Sequence, residues 1–83
     1  MYTVALLPRA IKELEKIPRA DATKIVKQLE KMENGLAGDI KKLTNFTPEY
    51  RLRVGKYRVL FEVEENQIVV YRIKHRKDAY SSR

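Results

Sequence analysis

Two short segments of this chain gather the side chains best suited to handling phosphate. Residues 50 to 58 contain Arg51, Arg53, Lys56 and Arg58 and no acid, and residues 72 to 77 contain Arg72, Lys74, Arg76 and Lys77 together with the only histidine, His75. These fifteen residues carry +8, while the other 68 balance at −1, for a net +7. Charge placed in this way is the footprint of a surface for a polyanion. Arginine adds a planar fork of donors that matches phosphate oxygens two at a time. Tyr50 and Tyr57 within the first segment, and Tyr80 just past the second, offer planes on which unpaired bases can stack. A solvated face that keeps a small domain soluble is the bland alternative.

Other chemistries find little support. His75 has no second histidine or carboxylate at ligand spacing, so no metal site is expected. There is no cysteine, hence no disulfide or thiolate ligand. No glycine-rich phosphate loop is present, and no Ser-His-Asp set assembles, because Ser81 and Ser82 cluster next to Arg83. Glu13 and Glu15, two apart on a helix, point to different sides and make no carboxylate pair. The longest early apolar run, Val4 to Leu7, is far too short for a signal peptide or a membrane span. A cytoplasmic protein without a cofactor is expected, with one domain over residues 1–83.

The elements that must position the basic segments follow from hydrophobic period. Residues 2 to 7 are apolar and β-prone and predict a strand. Pro8 suits the first turn of a helix, where its missing N–H is no loss. Ala10, Ile11, Leu14 and Ile17 continue at helical spacing until Pro18. A second helix is expected over residues 20 to 33, with the stripe Ala22, Ile25, Val26, Leu29 and Met32 and a stop at Asn34-Gly35. The outer faces of this helical hairpin, with Lys12, Glu13, Lys27 and Lys31, are expected to be solvated. Residues 36 to 49 look like a loop punctuated by Gly38, Asn45 and Pro48, with Ile40, Leu43 and Phe46 dipping into the core.

The last third is β. Gly55-Lys56 fits a two-residue hairpin turn, which fixes the register. Val54 then faces Tyr57, Leu52 faces Val59 and Tyr50 faces Phe61, all on a core side. The opposite side sets Arg53 against Arg58 and Arg51 against Leu60. Like charges directly opposite are destabilising, and local conflicts of this kind gather at functional sites. A third strand over residues 67 to 74 would add Arg72 and Lys74 to the basic side if Val69, Tyr71 and Ile73 face inward. The expected class is α+β: a strand, a helical hairpin and a three-stranded antiparallel meander, with the helices on one face of a curved sheet of about four strands.

At this point the residues resemble a family. The opening Val-Ala-Leu-Leu-Pro-Arg-Ala-Ile-Lys-Glu-Leu-Glu-Lys-Ile-Pro, the hairpin string Tyr50-Arg-Leu-Arg-Val-Gly-Lys-Tyr-Arg58-Val-Leu-Phe-Glu and the ending His75-Arg76-Lys-Asp-Ala-Tyr80 are similar to the RelE/ParE superfamily of toxins from toxin–antitoxin pairs. The resemblance implies a ribosome-dependent, metal-independent endoribonuclease that cuts messenger RNA by attack of a 2′-hydroxyl on the adjacent phosphate. By the same resemblance, Arg58 stabilises the scissile phosphate, Arg76 neutralises it or helps the leaving group, and Tyr80 stacks on a base and orients the 2′-hydroxyl. Arg51 and Arg53 stand where such enzymes often carry lysines, and arginine is a poor base. The base role is then left to Tyr80, to His75, or to electrostatics and ribosomal positioning. Lys56, Arg72, Lys74 and Lys77 are expected to bind RNA. The implied partners are the ribosome, messenger RNA and an antitoxin with an acidic segment that folds on the toxin. A ParE-like toxin acting on DNA gyrase and a non-catalytic nucleic-acid-binding module are the alternatives.

Overall fold

The computed structural model describes residues 1–45 and 47–79. Strand β1 (Thr3–Leu6) leads into helices α1 (Pro8–Glu15) and α2 (Arg19–Lys31), a 3-10 turn (Met32–Asn34), and strands β2 (Asp39–Lys42), β3 (Tyr50–Val54), β4 (Tyr57–Glu64) and β5 (Gln67–His75). One five-stranded sheet has the order β1-β5-β4-β3-β2. β1 runs parallel to β5, and the other neighbours are antiparallel. No helix among the described residues is long and apolar enough to cross a membrane.

The helices bury one stripe each. Ala10 of α1, Ile25 and Leu29 of α2 and Met32 join Leu52, Val59, Phe61, Ile68, Val70 and Ile73 of the sheet in a single core. Phe61 is fully buried and stacks on Tyr50 with centroids 5.4 Å apart. Such burial is what holds a small domain together. Ile11 and Val26, also in the apolar stripes, remain 44% and 39% exposed.

Every pair expected in the β3–β4 hairpin is present, from Val54↔Tyr57 to Tyr50↔Phe61. Gly55 takes φ +57 at the first turn position, which suits a residue without Cβ. The rest of the sheet departs from expectation in three ways. First, residues 39 to 42, read as loop, form β2, so the sheet has five strands rather than about four. Asp-Ile-Lys-Lys is a short edge strand in which only Ile40 meets the core, so hydrophobic alternation never develops. Gly38 lets β2 enter: at φ +116, a Cβ there would stand 2.5 Å from the Gln28 side chain and 3.0 Å from Leu52.

Second, β5 carries a bulge. Leu60 pairs with Arg72 but Phe61 with Val70, leaving Tyr71 as the extra residue. The inward set is therefore Ile68, Val70 and Ile73; Val69 is buried but lies outside this cluster, and Tyr71 does not take the core position expected of it. Third, β1 accompanies β5 only as far as Val70, whose carbonyl accepts from Leu7 N–H. Beyond it, Glu13 of α1 covers the open edge, its Oε1 accepting from Ile73 N–H at 2.8 Å. Glu13 thus belongs to the fold and not to a solvated face. Leu43 is half-buried as expected, while Phe46 lies outside the described residues.

The β4–β5 turn generates a stability prediction. Glu65 adopts φ +56, a left-handed conformation that crowds an L side chain. Glu65→Gly is expected to raise stability by about 0.5–1 kcal/mol, the relief of left-handed strain less the added entropy of glycine in the unfolded chain. Urea unfolding measures this directly, and a lower midpoint in the variant would contradict it.

Candidate functional site

The register that places Leu52, Val59 and Ile73 inside places a row of charge outside. Asp39 pairs with Arg53, Arg53 with Arg58, and Arg58 with Lys74, one from each of four adjacent strands. Strand spacing of about 4.8 Å brings these backbone positions close enough to act on one ligand. A second row runs Lys41, Arg51, Leu60, Arg72. Leu60 is only 3% exposed despite facing outward, between two arginines whose long stems suit such cover.

The repulsion between Arg53 and Arg58 is resolved by divergence. Arg53 Nε donates to Asp39 Oδ2 at 2.6 Å. Arg58 Nη1 turns the other way and donates to the carbonyls of Gly55 and Tyr57, 3.0 Å each. Arg51 Nη1 also donates to Asp39, reaching Oδ1 and the backbone carbonyl at 3.2 Å each. Asp39 therefore serves two arginines at once. Partial desolvation works against its charge, but hydrogen bonds from Arg53 and Arg51 and their positive charges outweigh it, and the carboxyl is held below its usual range. Sequence reasoning missed this residue because it lay in a stretch read as loop.

At the hairpin tip the second basic segment joins the first. Arg76 N–H donates to the Lys56 carbonyl at 2.7 Å, which fastens the turn after β5 to the turn after β3. His75 pairs with Tyr57 across the strands and meets its ring edge-on, with centroids 5.6 Å apart. Its Nδ1 accepts from Lys77 N–H at 3.2 Å, so the neutral ring carries its proton on Nε2. Buried Ala79 closes the turn. Lys56, Arg58, Lys74, His75, Arg76 and Lys77 thus share one end of the sheet. Tyr80 lies outside the described residues.

Arg72 is placed differently. Its Nε and Nη2 both donate to Glu13 Oε2, at 2.9 and 2.7 Å, with each side chain 22% exposed. The guanidinium that sequence reasoning assigned to RNA is engaged in tying β5 to α1. Beside this pair, a shallow cleft of ≈ 530 Å³ is lined by Lys16, Tyr57, Lys74 and His75 among others. It is open, carries both signs of charge and adjoins the basic end of the sheet. Among the described residues, no three His, Asp or Glu side chains are grouped to hold a metal ion.

Residues 4–80 match the family model described as the ParE toxin of the type II toxin–antitoxin system parDE. Toxin RelE3 of Methanocaldococcus jannaschii is 35% identical over 75 residues, covering 84% of this chain and 85% of the relative. The RelB–RelE antitoxin–toxin complex of Methanococcus jannaschii contains a chain that superposes with TM-score 0.78 at 31% identity, over 93% of this chain and 95% of that one. The archaeal RelE–RelB complex of Pyrococcus horikoshii gives TM-score 0.77 at 26% identity, over 94% and 98%.

The Asp39 cluster makes stability depend on pH. A carboxyl whose folded pKa is lowered contributes stability above its unfolded pKa and loses it as pH falls through the folded value. Asp39→Asn is therefore expected to lower the urea midpoint at neutral pH. The gap from the parent should close as the solution is acidified below the ordinary carboxylate range. A gap that stays constant with pH would show that the Asp39 charge is not what couples β2 to β3.

Proposed function

Since the chain belongs to the RelE/ParE superfamily of toxins from type II toxin–antitoxin pairs, we propose that it acts as a ribosome-dependent, metal-independent endoribonuclease on messenger RNA. The observation that carries this reading is the convergence of Arg53, Arg58, Lys74, His75 and Arg76 at one end of an outward sheet face. These cations suit the attack of a 2′-hydroxyl on the adjacent phosphate. The 2′-oxygen forms a bond to phosphorus, the bond from phosphorus to the 5′-oxygen breaks, and a 2′,3′-cyclic phosphate and a 5′-hydroxyl result. Negative charge accumulates on the phosphorane oxygens, and fixed cations stabilise it without reorganising. Arg58, anchored through Nη1 to two carbonyls, and Arg76, fastened through its backbone to Lys56, supply that field.

Proton transfer divides unequally. With Nδ1 of His75 engaged by Lys77 N–H, Nε2 is left as a donor. That sets the neutral ring to donate a hydrogen bond to a phosphate oxygen and not to act as base, and the leaving 5′-oxygen, stabilised by Arg76, takes its proton from water. The 2′-hydroxyl proton then falls to Tyr80, or its loss is promoted by the phosphate-stabilising cations on a substrate that the ribosome positions. Lys56, Lys74 and Lys77 hold the strand on either side, and Arg51 and Arg53 extend the field along the face.

The solved relatives are complexes with RelB, which supports a RelB-like antitoxin as partner here. The groove between the helices suits an amphipathic segment. Leu14, Ala22 and Val26 line it together with Arg19, Lys27 and Glu30, and the two cations would meet acidic residues. Action on ribosomes also implies a cytoplasmic location. The gyrase-directed alternative draws on one observation, the ParE description of the matched family model.

Arg58→Ala and Arg76→Ala are each expected to reduce ribosome-dependent cleavage of end-labelled messenger RNA by about 10²-fold or more, on the scale of losing one charge-stabilising donor. The urea midpoint should shift little. Uncut RNA on programmed ribosomes from a protein that still arrests growth would reject the nuclease, and a supercoiling assay would then test gyrase.

A further inference from the structure

Arg53 sits in an ion pair that is easy to open. Its side chain is 56% exposed and that of Asp39 is 44% exposed, so water screens their contact. Arg51 is held more firmly. It is 12% exposed, and it keeps its bond to the Asp39 carbonyl whatever the Asp39 carboxylate does. The strand pairing of β2 with β3 likewise runs through the backbone, with Asp39 opposite Arg53. The carboxylate can therefore swing off Arg53 without detaching the strand that carries it. The edge of the guanidinium it would vacate presents donors in the geometry that a phosphate oxygen accepts as well as a carboxylate does.

We propose that Arg53 is an anion-exchange position, filled by Asp39 in the free protein and by an RNA phosphate in the complex, so that Asp39 sets which anions engage the Arg53–Arg58–Lys74 row. The proposal rests on the reading of this face as an RNA surface. Asp39 is tethered beside Arg53 and competes at high effective concentration. A small free anion meets that competition unaided. A polynucleotide already held by Lys74, Arg58 and Arg76 presents its next phosphate from an equally tethered position and displaces the carboxylate. Asp39 thus weakens indiscriminate contact with stray anions and favours an extended strand.

The test is binding of a fluorescein-labelled single-stranded RNA dodecamer, without ribosomes, across a range of KCl concentrations. The parent, Asp39→Asn, Arg53→Gln and the double variant are compared, and circular dichroism verifies that each is folded. Freed from exchange, Asp39→Asn is expected to bind about fivefold tighter near 0.1 M salt, with a log–log salt slope steeper by about 0.7, the value of one extra phosphate contact on a single strand. Arg53→Gln should abolish that gain. The double variant has the net charge of the parent, so a gain that persists in the Arg53→Gln background would reflect bulk charge and overturn the proposal, as would no gain at all. Should Asp39→Asn fail to fold, the Arg53 Nε–Hε resonance of the parent decides the matter. A shift on saturation with RNA supports exchange, and an unmoved resonance refutes it. Absence of RNA binding by any of the four proteins would overturn both the exchange and the RNA reading of the face. The predicted cycle without ribosome-dependent cleavage would remove only the nuclease.

Discussion

The two-residue turn at Gly55-Lys56 leaves the strands on either side no freedom of register, and the register decides which side of the sheet each residue serves. Leu52 and Val59 go to the core because Arg53 and Arg58 go out. A slip of one residue would bury the arginines and expose the apolar set. The repulsion on the outer side is therefore the counterpart of the core packing on the inner side. The flanking elements answer this constraint: β2 brings a carboxylate to Arg53, and the turn after β5 brings Arg76 to the hairpin tip.

Two carboxylates from outside the hairpin discipline the basic face. Asp39 takes Arg53 and Arg51, and Glu13 takes Arg72. What remains most available at the basic end is the group around Lys56, Lys74, His75 and Lys77. The cationic surface is thus narrower than the count of basic residues suggests. Glu13 also blunts an exposed sheet edge, a device that keeps unpaired strand N–H groups from recruiting other chains.

How much of this could be read from the sequence depended on range. The hairpin was legible pair by pair, because a short turn and strict alternation determine it locally. The helices were legible from their stripes, although Ile11 and Val26 proved half in water because two short helices cannot cover each other fully. β2 was not, since four residues with one apolar side chain carry no period. The bulge at Tyr71 was not, because nothing in Val-Val-Tyr-Arg-Ile announces an extra residue. Of the site, the cations were visible as a cluster, but Asp39 and Glu13 were not. Their partners lie 12 to 14 and 59 to 60 positions away, and only the completed fold reveals them.

The neighbour relation of β1 and β5 has a consequence for synthesis. The first strand of the chain finds its partner only in the last, so a nascent polypeptide emerging from its own ribosome has β1 without a mate. The sheet gains Lys74 and His75 only when β5 is added, and Arg76 can be fastened to Lys56 only after that. Pairings so distant in sequence form late, because the intervening chain must first be closed into a loop. A growing chain is thereby kept from acquiring the complete cationic surface until β5 and the turn after it have been translated.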